Sequence, residues 1–481
     1  MAYKHGVSVT EQATSIIAPV SSSAGLQVVL GTAPVNLLAD PYSATNTPLL
    51  CNSYAEAVAA VGYSTDFAKY TLCQSIYATF QVVNVAPIIL INVLDPTKHV
   101  AAVDETECQI NDGVAVLEVE GVLLDKLVVK AGGKELTADE DYVAAFDDDG
   151  FVTIALPEGG AAGDATALTV SGKRIAPEAV TAEDIVGGVD GNGKETGTEV
   201  IRQIFPKLNL VPGSILAPGW SKNALVSAAL QAKTTNLNGS FRCLAVVDVD
   251  SGANGCTQYA DVLTQKQAQG LTSAYCYAVW LYAKVGDYMI AGSAMAAAQM
   301  AYIDSQNGDI PSVSPSNKAI SITAACLEDG TEVLLDEPQA NTVNSYGVAT
   351  WLNMLGFRLW GNNTCIYPSS TDPKDRFVDV RRFFNWDDNT FIQTYYQKVD
   401  NPMNKRLIEA LVDSENLRGN SFVSRGICAR YELVYDSDEN PLTDLLNGTI
   451  RFHKYCTKYV PAENIEEIVE FDADALATAL S

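Results

Sequence analysis

The sequence predicts a multidomain α/β protein carrying an inserted all-β module and a C-terminal α+β module. Three observations predict it. Apolar strand runs alternate with amphipathic helices over residues 23–100 and again over 197–350. Between them, at 101–196, helical periodicity stops and short alternating runs appear between acidic and glycine turns. Beyond 350, two helical patterns precede two strand patterns. The first texture implies one discontinuous domain built on a mostly parallel sheet with helices on both faces. The second implies an inserted β-sandwich of ~90 residues. A chain of 481 residues holds about three domains, and 47% apolar with 19% charged residues supplies ordinary cores.

In chain order, residues 1–22 form an arm in which Val7 and Val9 alternate with Ser8 and Thr10 as a short strand. Leu26–Leu30 is a strand ending at Gly31-Thr32-Ala33-Pro34. Ser53 with Glu56 makes a capping box for a helix reaching Val61, a second helix spans Phe67–Phe80, and Pro87–Leu94 is a buried strand. In the β module, strands fall at Val114–Val119, Leu127–Val129, Phe151–Leu156 and Ala167–Val170, with a turn at Asp147-Asp148-Asp149-Gly150 and a glycine-rich exit linker at Gly187–Gly197. The α/β pattern then resumes: a helix at Thr198–Phe205, a strand at Ile215–Ala217, and a helix capped by Ser221 and running to Lys233. Cys243–Val249 and Tyr275–Tyr282 read as strands, Thr257–Gln269 and Ala291–Ile303 as helices.

In the module at 351–460, Asp372 caps a helix with Pro373 at its first position, and Asn401-Pro402 repeats the device. On that second helix Leu407, Ile408, Leu411 and Val412 share a face, Lys405, Arg406, Glu409 and Asp413 lie outside it, and Gly419 is a suitable stop. Strands follow around Ile427–Val434 and Thr449–Val460. The tail, 461–481, holds Ile465, Val469 and Phe471 on one face of a strand and no Lys or Arg. An isolated strand is unstable in water. We therefore expect Val7, Val9, Ile465, Val469 and Phe471 to complete sheets of adjacent copies by strand exchange. The Leu352-Asn353, Leu355-Gly356 and Trp360-Gly361 steps likewise read as elements a neighbouring chain would bury.

Charge and composition exclude several classes. Of the net −27, residues 101–200 carry −16, from 22 acidic and 6 basic side chains. Such a face is solvated and repels phosphate backbones, so no nucleic-acid partner is expected. The ten cysteines include no C-x-x-C pair and most sit in apolar runs, which reads as buried, reduced thiols of a cytoplasmic protein. His5, His99 and His453 are far apart in sequence, so no metal site is expected. The N-terminus lacks an apolar signal region, and Val82–Leu94 is too short and polar for a membrane span.

Catalytic and cofactor patterns fail on their own chemistry. Gly219-Trp220-Ser221 starts like a hydrolase elbow, but position 223 is Asn. His99 is the sole histidine of 23–350 and reads as a solvated junction residue, which leaves an α/β hydrolase as a remote alternative. Asp190-Gly-Asn192-Gly-Lys194 begins like a calcium loop, then Lys194, Glu195 and Ile201 break it. No phosphate-cradling glycine motif is present, so no cofactor is expected.

Taken in order, several short motifs carry a resemblance. They are Gly6-Val7-x-Val9, Gly31-Thr32-Ala33-Pro34, the Ser53…Gly62 helix and Pro87-Ile88-x-x-Ile91-Asn92-Val93. Further on come Leu210-Val211-Pro212-Gly213, Ala217-Pro218-Gly219-Trp220-Ser221, Ala245-Val246-Val247-Asp248, Leu352-Asn353-x-x-Gly356, Trp360-Gly361-x-x-Thr364 and Val380-Arg381-Arg382. With them the chain resembles the tail sheath proteins of contractile phages and of related contractile injection particles such as R-type bacteriocins. It departs at Val399-Asp400-Asn401-Pro402, where many sheath proteins read Glu-Pro-Asn. The resemblance implies a subtilisin-like α/β domain without protease activity, a β-sandwich insertion and a C-terminal sheath domain. It implies a structural subunit of hexameric rings stacked helically around an inner tail tube protein, assembled in the bacterial cytoplasm with baseplate and tail terminator proteins. Lys405 and Arg406 are then candidates for facing the tube. Another structural component of such a particle, baseplate or tube, is the alternative.

Overall fold

The computed structural model describes residues 24–157 and 159–481. Val7, Val9 and the rest of the expected arm at 1–22 therefore lie outside the described residues.

The central element is a six-stranded sheet in the order Cys276–Trp280, Leu244–Val249, Ser214–Leu216, Gln27–Gly31, Ile88–Asn92, Leu49–Cys51. The first five strands are parallel, and Leu49–Cys51 closes the edge antiparallel. Every residue of the five parallel strands is buried, as a sheet covered on both faces requires. The two α/β stretches of the sequence thus build one sheet, with strands from 23–100 beside strands from 197–350 in a common core.

The chain leaves this sheet at Val100 and returns at Ile175, and these two residues pair with each other. Between them, a four-stranded and a three-stranded antiparallel sheet share a second core of Ala115, Leu117, Val129, Val152, Ile154, Leu168 and Val170. The long strand Val100–Gln109 is absent from the sequence reading because only Val103 and Cys108 are buried, while Asp104, Glu105 and Glu107 are exposed and break the apolar alternation. Gly187–Gly197 is no linker but a hairpin, Gly187–Val189 against Glu195–Gly197. Its turn is held by Asp190, whose carboxylate accepts from Asn192 N and Lys194 N at 2.8 Å each.

Several caps fall elsewhere than expected. Ser53 accepts from Glu56 N at 3.2 Å, but Glu56 reaches back to Asn52 N instead of closing the box on Ser53. The second helix starts at Thr71, and its last turn is a π-helix, Tyr77–Val82. Asn223, not Ser221, caps the helix Ala224–Ala232. Asp372 caps Pro373–Arg376 as expected. The next cap is Asn404, not Asn401, because Asn404 accepts from Leu407 N at 3.0 Å. That helix runs past Gly419 to Ser424. Gly419 is there for close approach: a Cβ would lie 2.0 Å from Tyr431 Cδ1. His99 is buried, not solvated, and its Nδ1 accepts from Asp95 N at 2.9 Å. Leu352 is buried in its own hairpin, Thr350–Asn353 with Phe357–Trp360.

Candidate functional site

The one serine that sequence reading weighed as a nucleophile is committed to structure. Asp248, buried at the end of the strand Leu244–Val249, accepts from Ser221 Oγ at 2.9 Å, Ser293 Oγ at 2.8 Å and Ser293 N at 2.7 Å. Ser293 lies in the first turn of the helix Gly292–Gln306, where the positive end of the helix dipole meets a carboxylate. Burial nonetheless raises the Asp248 pKa, against the hydrogen bonds of Ser293, Ser221 and Gly219. This cluster joins a strand end to a helix start. Among the described residues, no group of three or more His, Cys, Asp or Glu converges to hold a metal ion, and no helix is long and apolar enough to cross a membrane.

The surfaces that call for a partner lie in the C-terminal module. Its long helix, Val378–Tyr395, is riveted to the α/β body along most of its length. Arg382 forms a buried ion pair with Asp304, Arg381 stacks 4.6 Å over Tyr275, and Asn389 bonds both N and O of Arg242 at 2.9 and 2.6 Å. The Arg381-Arg382 pair thus docks this helix on the α/β body.

The helix Lys405–Ser424 and the hairpin Cys428–Val434 with His453–Lys458 pack on the same long helix through a buried polar network. Asp387 accepts from Arg418 and Lys454, both at 2.6 Å, and from Tyr431 Oη at 2.9 Å. Glu415 accepts from Arg418 at 2.5 Å and from Tyr395 Oη at 3.2 Å. Burial pulls the Asp387 carboxyl upward, but Arg418 and Lys454 outweigh it and hold it below the usual range. Lys458 adds a second buried pair with Asp379. Four residues of strand span ~13–14 Å and eight of helix ~12 Å, so Lys454 and Lys458 match Asp387 and Asp379 as two pins along one helix. Sequence reading missed this network. Its signal was there: Glu415 and Arg418 continue the stripe of Leu407, Ile408, Leu411 and Val412, where charge is affordable only if paired.

Among the described residues this sheet has two strands. On one edge Asn416 takes both Leu433 N and Leu433 O, at 2.6 and 2.9 Å, in place of a further strand. Among the described residues no strand pairs with the other edge, that of His453–Lys458. From this strand the chain runs into the tail. Glu463 bonds Asn362 and Arg376 and fixes the root. Beyond it, Ile465, Ile468, Val469 and Phe471 are 79–88% exposed and sit in no helix or strand. A short helix, Ala473–Ala479, capped by Asp472, ends the chain and was not anticipated. Lys405 and Arg406 are also exposed, with Lys405 3.5 Å from Glu409 one turn on.

No protein-family model matches the chain. It is similar to the tail sheath protein of Burkholderia phage BcepMu, 25% identical over 493 residues that span 99% of this chain and 98% of that protein. It is 27% identical to a putative prophage major tail sheath protein of Pseudomonas aeruginosa, over 60% of this chain and 72% of that one. Among solved structures it is similar to the sheath of an extracellular contractile injection system, PVC, in the contracted state. There the TM-score is 0.59 with 14% identity, covering 99% of this chain and all of that one. At such identity the structural likeness establishes the fold alone. The resemblance to tail sheath proteins read from the sequence therefore stands.

Proposed function

We propose that this chain is a structural, non-enzymatic subunit of a contractile tail sheath. Copies polymerise as helically stacked hexameric rings around an inner tube, and contraction of the polymer drives the tube through a target envelope. The observation that carries the reading is the exposed apolar tail of 465–471, which follows a hairpin edge paired with no described strand, in a chain similar over 99% of its length to a tail sheath protein. The tail of one copy adds to the His453–Lys458 edge of another, with Val7 and Val9 supplying a second donor strand. Donor and acceptor differ, so the contact is heterologous and propagates as a ring or helix. Lys405 and Arg406 face the tube, and the rings end on baseplate and tail terminator proteins. Assembly takes place in the bacterial cytoplasm.

The α/β body is subtilisin-like in this reading, spanning 23–100 and 197–350. The module of 101–196 is a β-sandwich insertion, and 351–460 is the sheath domain between terminal arms at 1–22 and 461–481. Contraction exploits two packings of the same subunit, with many small interface gains summing over the lattice. Negative-stain microscopy of the purified full chain tests the function. Wide hollow cylinders with a helical surface are expected; a solution of monomers at high concentration would overturn it.

A further inference from the structure

A cleft lies on the seam between the insertion and the α/β body. The body contributes Asn36, Tyr63 and Tyr70, and the insertion contributes Glu120 and the turn Asp147-Asp148-Asp149-Gly150. Its volume is about 330 Å³, at the lower end of the range of small-ligand sites.

Two features of the lining set what the cleft can hold. The first is charge: four carboxylates line it and no Lys or Arg does. Glu120 is met from outside the cleft by Lys69 at 2.7 Å. One oxygen of Asp147 is taken by the amides of Asp149 and Phe151, at 3.0 and 2.8 Å. Asp148 and Asp149 are exposed and form no ion pair among the described residues. The second feature is Asn36. It is 3% exposed, and its Oδ1 has no hydrogen-bond partner among the described residues. A buried carbonyl oxygen without a donor is costly, so this one calls for an N–H or O–H arriving through the cleft.

A water molecule would satisfy Asn36 and leave the carboxylates to repel one another. The ligand is therefore a cation that also donates hydrogen bonds. A bare divalent ion does not fit, because among the described residues no three acidic side chains converge to hold one. A single Lys or Arg side chain brings one charge to several separate carboxylates. An aliphatic oligoamine brings two or more ammonium groups along a flexible chain, each with its own N–H donors, and Tyr63 and Tyr70 offer aromatic rings beside them.

We propose that this cleft binds an aliphatic oligoamine of the spermidine class, with one ammonium on Asn36 Oδ1 and the others on the carboxylates of the insertion. The bound amine ties the insertion to the body across a seam whose Lys69–Glu120 and Tyr42–Asp125 pairs are exposed. The net −16 of residues 101–200 draws any polycation toward this part of the molecule, so binding in the cleft has to be separated from a diffuse counterion cloud.

Calorimetric titration of the folded full-length protein with spermidine at physiological salt makes that separation. One saturable site per chain is expected. Asp148→Asn with Asp149→Asn, and separately Asn36→Leu, should each weaken it by about tenfold or more, as loss of hydrogen bonds to a charged group does. Asp139→Asn with Glu140→Gln removes the same charge from an exposed turn outside the cleft and should change the affinity by less than about twofold, because salt screens distant charges. Amide hydrogen exchange should slow with spermidine both at Val35–Leu37 and at 147–150. Equal weakening by the two double variants would reduce the binding to a counterion cloud and overturn the proposal. So would unchanged affinity in a folded Asn36→Leu, a site that takes Mg²⁺ as tightly as spermidine, or a titration that never saturates. The two surface variants decide even if Asn36→Leu fails to fold.

Discussion

A methyl group at position 419 would land 2.0 Å from Tyr431 Cδ1 and 2.7 Å from its Cγ. In an exposed helix interior, replacing Gly by Ala gains about 1 kcal/mol of helix propensity. Here the gain is outweighed, since Tyr431 can yield only by leaving Asp387 and Glu415, and overpacking a core costs about 1–3 kcal/mol. Gly419→Ala should therefore lower stability by up to about 2 kcal/mol net, measured by denaturant unfolding; an increase would show that the hairpin yields freely. Asp309 gives a second residue-scale prediction. It accepts from Ala24 N at 3.1 Å, where the described chain begins, and burial with nearby Asp304 pushes its carboxyl up to about 6 from 3.8. The folded protein then binds the extra proton between those values, so stability falls as pH rises through that window and the penalty is full above it. Asn keeps the acceptor and tolerates the backbone φ of 57° found there. Asp309→Asn should unfold at a higher temperature than the wild type near pH 7.5 and at the same temperature near pH 4. Equal midpoints at both would place no penalty on the charge.

At the scale of elements, legibility followed the period of burial. The buried parallel strands and the helix from Ser53 to Gly62 were readable because each is a short apolar run or a capped stripe. The insertion was readable as β because its alternation is bounded by turns. What escaped was whatever depends on a partner distant in sequence. Ser221 looked like a cap until Asp248 claimed it, Gly419 looked like a stop until Tyr431 came against it, and Gly187–Gly197 looked like a linker until it paired with itself. The tail is the converse case. Ile465, Val469 and Phe471, read from the sequence as a strand for a neighbouring copy, are exposed and pair with no described strand, while the helix at Ala473–Ala479 lies in too short and alanine-rich a stretch to announce itself. Removing 464–481 leaves Glu463 on Arg376 and touches no part of the three cores. The truncated chain should keep the wild-type unfolding curve and form no cylinders by microscopy. Cylinders of normal width from this variant would sink strand exchange through the tail.

At the scale of the whole molecule, the question is whether the acidic insertion builds the polymer or only decorates it. The packing favours decoration. The insertion has its own core, and its entry and exit strands pair at Val100 and Ile175, so the body loses no sheet partner when it goes. Its attachment to the body is largely polar and exposed, through Lys69 with Glu120 at 2.7 Å and Tyr42 with Asp125 at 2.8 Å, pairs that contribute about 0–1 kcal/mol each, and its one residue buried in the main core is Leu123, whose loss costs the body about 2–5 kcal/mol. By contrast Val180 and Ile185, just after it, sit in the main core and must stay. A surface with a net −16 over residues 101–200 would also repel its own copies if it lay between them, and is best placed at the outer radius where water and counterions screen it. Replacing 101–174 by a short glycine turn should therefore give a chain that folds and still polymerises, into cylinders thinner at the outer wall and less sensitive to low ionic strength. Sedimentation and microscopy at low and high salt read both effects. Folded monomers without polymer would show that the insertion is itself an interface, bridged by cations or by basic patches of a neighbouring copy.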